Sequence, residues 1–438
     1  MQRFAKGLIC LLVAMSLTAA VNVSRAQDVL TLDQCIDLAL TNRGSAEFGL
    51  PGAHTSYHRA QQGVWSAWGN LLPSATYGAS YSRSNSDSYF DQNSNTFIEA
   101  LRWSSGLSIR QTVFDGGANA YGVAAAYHSR AAARENYCAT VNNLVFGVKE
   151  AYFNLLKAIK LVEVQDAAVD RAEESHKTIR SKYELGSASL SEVLKAEVQL
   201  GTEQLELLRR QNEVESARAR LNTILGRSVD EPFEIEDIGE GVTQTPDYQA
   251  ALAEALENSP EVQGARAALR LAKDDIGIAR ASLFPNVGWS YSRGWVAGDF
   301  SDLMGFDQNQ SWRFSLSADL PLFSAFSRKT MISNARVGVK NAREQLEQSE
   351  HSVELGVKQS HLGVELAQRS REVADQTEAS AQEDFKLAQE KYNLGAATIL
   401  DLLDAQASLT SAQNEKVNSL YDHYVAVARL ENVIGRGR

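Results

Sequence analysis

Two hydrophobic periods alternate along the chain. In the first half Ala75, Tyr77, Ala79 and Tyr81 alternate with Ser74, Thr76, Gly78, Ser80 and Ser82. After a polar stretch expected as a loop (Arg83 to Phe97, rich in Ser, Asn and Asp), Trp103, Leu107, Ile109 and Val113 alternate with Ser104, Ser108, Arg110 and Thr112. The second half does the same with Val287, Trp289 and Tyr291, then with Trp312, Phe314, Leu316, Ala318 and Leu320. Period two means strands with one apolar face, so four strands of about ten residues are expected, the length a tilted strand needs to cross a bilayer. Elsewhere the period is seven. Val148/Ala151, Leu155/Ala158, Val162/Gln165 and Val169/Ala172 form one seam, and Val357/Ser360, Val364/Ala367, Arg371/Ala374 and Phe385/Ala388 form another. Val193, Leu200, Leu207, Val214 and Leu221 make a returning stripe. Sustained heptads mean helices in coiled-coil packing, and small seam residues let the axes come close. No proline falls between Ala118 and Lys182, so a helix of about 100 Å is possible there.

The elements come twice. Lys182-Tyr183-Glu184-Leu185-Gly186 returns 209 residues later as Lys391-Tyr392-Asn393-Leu394-Gly395. Leu225-Gly226-Arg227 and Phe114 return at the same offset as Ile434-Gly435-Arg436 and Phe323. Leu72-Pro73 and Phe284-Pro285 each open a strand region. The order and spacing predict a tandem duplication. The first repeat is 27–228, with a β-hairpin at about 74–114 and a helix pair at about 118–226. An acidic, proline-bearing linker spans 229–247, and the second repeat is 248–438, with a hairpin at about 286–323 and a helix pair at about 325–434. One asymmetry stands out: Leu50-Pro51-Gly52 predicts a helix break, whereas its counterpart, Val262 to Leu283, reads as continuous helix.

The amino terminus changes where this fold is expected to live. Arg3 and Lys6 precede the apolar run 7–15, and Ser24-Arg25-Ala26 offers small residues around a cleavage after Ala26. Residues 1–26 therefore read as a secretory signal peptide. No later run is apolar and long enough for a spanning helix, so any membrane crossing is by strands. The net charge of −11 argues against a nucleic-acid binder, which would want a basic face. Three cysteines make no disulfide scaffold, and the sequence leaves open whether Cys35 and Cys138 pair.

Four strands cannot close a barrel, and open edges in lipid leave backbone groups unsatisfied. Copies must pool their strands: two give eight, which side chains fill, and three give twelve, wide enough for a lumen.

The plan resembles the TolC family of outer-membrane efflux proteins over nearly all of the mature chain. The resemblance rests most on the two helix-turn-helix tips and on the Leu-Pro or Phe-Pro before each hairpin. It implies a mixed α and β membrane protein, a homotrimer with a pooled 12-stranded β-barrel in outer-membrane lipid, continued by a coiled-coil α-helical barrel in the periplasm of a diderm bacterium. It further implies an exit duct for tripartite efflux or type I secretion, with no cofactor and no catalytic residue. Its tips, at Leu185, Gly186, Ser187, Leu394, Gly395 and Ala396, would meet a periplasmic adaptor (membrane-fusion) protein, and through it an inner-membrane pump of RND or ABC type. Asp401 and Asp404 match the family's acidic entrance positions, Tyr392 a gate tyrosine, and Glu192 is the first-half acidic counterpart. Three copies would stack two carboxylate rings, whose crowding should raise some of their pKa values. The arginine that family members use as a lock is replaced here by Ala397.

Other readings are weaker. No HExxH, GxSxG, Walker or GxGxxG motif is present. His54 and His58 have metal-ligand spacing but no third ligand in view. A single-chain porin needs at least eight strands. A periplasmic coiled-coil scaffold without a pore would leave the Trp- and Tyr-bearing strands without a role.

Overall fold

The computed structural model describes residues 29–41, 48–91, 96–238, 246–297 and 310–436, with no side-chain description for 84–101. The expected signal peptide lies outside the described residues.

In chain order the elements are β1 (Val29–Leu30), α1 (Leu32–Thr41), α2 (Leu50–Gly69), β2 (Ser74–Asp91), β3 (Thr96–Phe114), α3 (Ala118–Glu184), α4 (Leu190–Leu225), β4 (Glu234–Ile235), α5 (Tyr248–Asn258), α6 (Pro260–Ala281), β5 (Asn286–Ala297), β6 (Gln310–Asp319), α7 (Ser327–Asn393) and α8 (Ile399–Ile434). The halves repeat element for element. α3 and α7 are each 67 residues and α4 and α8 each 36, all displaced by the 209 residues that separate the tip motifs.

The expected continuous helix of the second half is α6, unbroken over Pro260–Ala281, but a helix start at proline is common to both halves. Both halves break: α2 restarts at Leu50 with Pro51 in its first turn, and α6 restarts at Pro260 straight after α5. Proline in a first turn loses no intrahelical bond, so each proline starts a helix rather than spoiling one.

β2, β3, β5 and β6 form one antiparallel sheet in that order. Register sorts the faces. Ala75, Ile109, Tyr291 and Phe314 are cross-strand neighbours in one row, and Thr76, Ser108, Ser292 and Arg313 in the next. One face is thus apolar and the other polar. Tyr77, Trp312, Phe314 and Leu316 stand exposed on the apolar side. The first hairpin exceeds the expected ten residues per strand, with strands of 18 and 19; the second has 12 and 10. The extra length of β2 and β3 lies in the Ser- and Asn-rich stretch, whose polarity had suggested a loop. Strand pairing there continues beyond the part a bilayer would need.

The core lies among the helices. Val148, Leu155, Gln165 and Ala172 of the α3 seam are buried, as are Val357, Ser360, Val364 and Ala374 of the α7 seam. α8 packs on both α7 and α3, and Lys149–Glu431 and Lys157–Asp422 ion pairs at 2.7 and 3.0 Å tie it to α3. α2 and α6 both lie along α3, the latter joined by His128 and Asp274 at 2.6 Å. The expected linker does more than connect. β4 within it pairs in parallel with β1, and the fully buried Tyr152 hydroxyl lies 2.6 Å from the Glu236 carbonyl and 3.2 Å from that of Leu30. Cys35 and Cys138 are both free thiols; burial pushes the Cys35 thiol up to about 12, which leaves it unreactive near neutral pH.

Each hairpin re-enters its long helix through two left-handed residues. In the first half these are Gly116 and Gly117; 209 residues on they are Ala325 and Phe326, at φ 45° and 67°. A Cβ on Gly116 would collide with the Ala281 carbonyl oxygen, so glycine is needed there twice over, for φ and for space. Left-handed backbone costs a non-glycine residue about 1–2 kcal/mol. Gly116→Ala should therefore lower the thermal midpoint by several degrees. Ala325→Gly, at an exposed position, should raise stability by about 0.5–1 kcal/mol, the strain relief less the added entropy of the unfolded chain. Thermal unfolding of both variants beside the wild type checks the pair.

Candidate functional site

The two helix reversals, α3 to α4 and α7 to α8, bring most of the expected site residues to one end of the molecule. Each 67-residue helix stops in the same way. Ser187 N–H donates to the Lys182 carbonyl and Gly186 N–H to that of Tyr183, both at 2.8 Å; Ala396 and Gly395 repeat the pattern on Lys391 and Tyr392. This double bond at a helix end requires a left-handed residue, and Gly186 and Gly395 sit at φ 77° and 73°. Nothing lies within 4 Å of where their Cβ atoms would be, so conformation alone selects glycine. The turns carry Leu185 and Leu394 outward, 83% and 84% exposed. Each apex of the two long helix pairs thus holds one apolar side chain in water.

Each returning helix begins with a capping box. Glu192 accepts from the Ser189 backbone at 3.0 Å while the Ser189 hydroxyl accepts from Glu192 N–H at 3.3 Å. Asp401 accepts from both the backbone N–H and the hydroxyl of Thr398 at 2.8 Å, and Asp401 N–H returns a bond to that hydroxyl at 3.3 Å. Two of the three candidate acidic residues therefore hold helix ends. The Thr398 hydroxyl and backbone bonds hold the Asp401 carboxyl below the usual carboxylate range. Within one protomer this is opposite to the rise expected from crowding, because hydrogen bonds to the charged form favour it. Its sign follows: the stabilisation from Asp401 is complete above the ordinary carboxylate pKa and is lost as pH falls through the lowered one. Asp404, one turn on and exposed on the same helix, is the carboxylate without this duty.

Tyr392 is buried, at 8% exposure, in a small core with Ile179, Ala196, Ile399 and Leu402. Burial, then the charge of Glu192, raises its phenol pKa, so the ring is neutral at all ordinary pH. The sequence offered no sign of its main partner. Lys182 Nζ lies 4.2 Å over the ring centroid, 3.3 Å from the Asn393 side-chain oxygen and 3.4 Å from the Tyr392 carbonyl. Lys182 thereby ties the end of α3 to the end of α7. A cation over an aromatic face contributes about 0.5–2 kcal/mol. The signal available in sequence was only that Lys182 and Lys391 occupy equivalent positions; which lysine faces which tyrosine is a tertiary fact.

At the far end of the chain path, the sheet presents its apolar face and two bare edges, β2 and β6. No described helix is long and apolar enough to cross a membrane.

In sequence the chain is 26% identical over 199 residues to the probable efflux pump outer membrane protein TtgC of Pseudomonas putida, a stretch covering 44% of this chain and 40% of that one. It is 24% identical over 214 residues to the cation efflux system protein CusC of Escherichia coli, covering 47% and 46%. The matched stretches thus span less than half the length of these relatives. In structure, the outer membrane protein VceC of Vibrio cholerae superposes with a TM-score of 0.77 over 92% of this chain and 96% of that one, at 21% identity, which establishes the fold. The family model described as outer membrane efflux protein matches residues 50–227 and 251–436, the two halves just described. On that match over most of its length, the chain belongs to the outer membrane efflux protein family, in the bacterial outer membrane with its long helices in the periplasm.

Proposed function

We propose that three copies of this chain assemble into one channel that serves as the exit duct of a tripartite efflux or type I secretion system. The observation that carries this reading is the open four-stranded sheet, apolar on one face, polar on the other and bare at both edges. Three such sheets joined edge to edge give twelve strands, a lipid-facing exterior and a polar lumen. Joined helix pairs continue the duct as a hollow bundle, and the repeat at 209 residues is best read as a duplication that gives the bundle near-sixfold regularity. The apolar sheet face counts against a poreless periplasmic scaffold.

Leu185 and Leu394, with Gly186, Ser187, Gly395 and Ala396 shaping the turns, are the surface we assign to the periplasmic adaptor, behind which an inner-membrane RND or ABC pump supplies cargo and energy. Asp404 is the residue we assign to an acidic ring at the entrance, with Asp401 and Glu192 chiefly ordering the helix starts. Lys182 on Tyr392 takes the part of the arginine absent at Ala397, holding the two tips of a protomer together.

The gate assignment separates two neighbouring carboxylates. In planar bilayers Asp404→Ala should weaken block by a trivalent cation from the periplasmic side and reduce cation preference, since a ring of like charge concentrates counter-ions. Asp401→Ala should instead leave block unchanged and loosen the start of α8 by removing one side of its capping box. Equal block in wild type and Asp404→Ala would remove Asp404 from the entrance. For docking, Gly186→Pro and Gly395→Pro each force φ to the wrong sign and delete a tip hydrogen bond. Both should abolish export and adaptor cross-linking while assembled protein still reaches the outer membrane. Undiminished export in the double variant would contradict tip-mediated docking.

A further inference from the structure

One motif is left unused by the channel reading. His54 and His58 lie one turn apart near the start of α2, far along the chain from the tips. Their Nε2 atoms are 3.1 Å apart, with ring centroids at 4.3 Å and planes at 77°.

That separation can be judged against two chemistries. As a hydrogen bond it is bent: a head-on N–H···N contact at this distance would set the centroids about 5.4 Å apart. As a chelating pair it nearly fits. Two imidazole nitrogens at about 2.0–2.1 Å from one ion are separated by about 3.3 Å in tetrahedral geometry and about 2.9 Å at a right angle. The observed spacing falls between these values. Chelation would place the centroids about 4.8 Å apart, which a modest rotation of one ring supplies. The surroundings brace the rings rather than compete for them. Tyr137 of α3 lies 5.9 Å from the His54 ring and Tyr57 lies 6.0 Å from that of His58, and the two tyrosines stack on each other. His58 is exposed and His54 partly so, which leaves the nitrogen pair open to solvent. Among the described residues no group of three or more His, Cys, Asp and Glu gathers to hold a metal. Two ligands with open positions make an exchangeable site rather than a structural one.

We propose that His54 and His58 form a bidentate site for a divalent transition-metal ion of the imidazole-preferring class, one per protomer, with water in the remaining positions. Each ring binds through Nε2 as the neutral tautomer that carries its proton on Nδ1. Neutral imidazole suits copper, nickel and zinc, and among divalent ions copper binds such nitrogen sites most tightly. The ion would pin the first turns of α2, which lead to the first hairpin.

Untagged full-length protein in detergent is titrated with copper(II) chloride, and bound copper is read by equilibrium dialysis and electron paramagnetic resonance. The expected result is one copper per protomer with coupling to two nitrogens. His54→Ala and His58→Ala should each weaken binding at least about tenfold and leave coupling to one nitrogen, as expected when one of two chelating ligands is removed. His351→Ala, at an exposed histidine on α7, should change nothing. His58→Gln repeats the test in a variant that keeps a side chain of similar polarity, with assembly followed by size. Wild type that takes up no copper would overturn the proposal. So would His58→Ala or His58→Gln that binds as tightly as wild type with an unchanged spectrum.

Discussion

Everything in this molecule depends on the backbone hydrogen bonds of one small sheet. Inside hydrocarbon a peptide group without a partner costs several kcal/mol, so a sheet that enters a membrane must have no edges. The sheet of this chain has two, on β2 and β6. Its alternation leaves no freedom to hide them, because the register that puts Tyr291 beside Phe314 also fixes which face meets lipid and which meets water. In the proposed channel, association is therefore a condition of the fold in its membrane and not an addition to it.

The helical part is built to suit that condition. In a folded protein most helical stability comes from packing rather than propensity; here small residues let the long helices pack closely, with Ala151, Ala158 and Ala172 on α3 and Ser360 and Ala374 on α7 buried. Both 67-residue helices stop on a glycine and both 36-residue helices start on a capping box, so the reversals are set by local chemistry in each half independently. Tyr152, between the carbonyls of Leu30 and Glu236, joins the start of the chain and the connecting segment to the middle of α3. The tips thus stand at one end of the long helices and the sheet at the other.

Much of this was legible in the sequence because it is carried by period and repetition. Alternation around Tyr77, Trp289 and Phe314 gave the strands, heptads gave the helices, and the recurring Lys-Tyr-x-Leu-Gly gave both reversals. What the sequence left unread has local causes. Pro51 looked like a break peculiar to one half, although Ser259-Pro260 does the same work in the other, because proline signals a helix start and a helix stop with the same letter. Asp401 and Glu192 were read for their charge alone. Thr398-x-x-Asp401 and Ser189-x-x-Glu192 are also capping signatures, and the structure gives their carboxylates to the helix ends. Lys182 over Tyr392 was out of reach, since it joins residues 210 apart. Equally, Ala325 and Phe326 give no hint in sequence of the left-handed backbone that Gly116 and Gly117 announce in the other half.

The central claim is that β6 of one copy pairs with β2 of the next until three copies close a ring. Single cysteines placed along the exposed edges of β2 and β6 in one chain, oxidised in outer membranes and resolved under denaturing conditions, test it directly. The account predicts covalent dimers and trimers from the matched register positions, with no species above three. A ladder that stops at two copies, that runs beyond three, or that never leaves the monomer would contradict it.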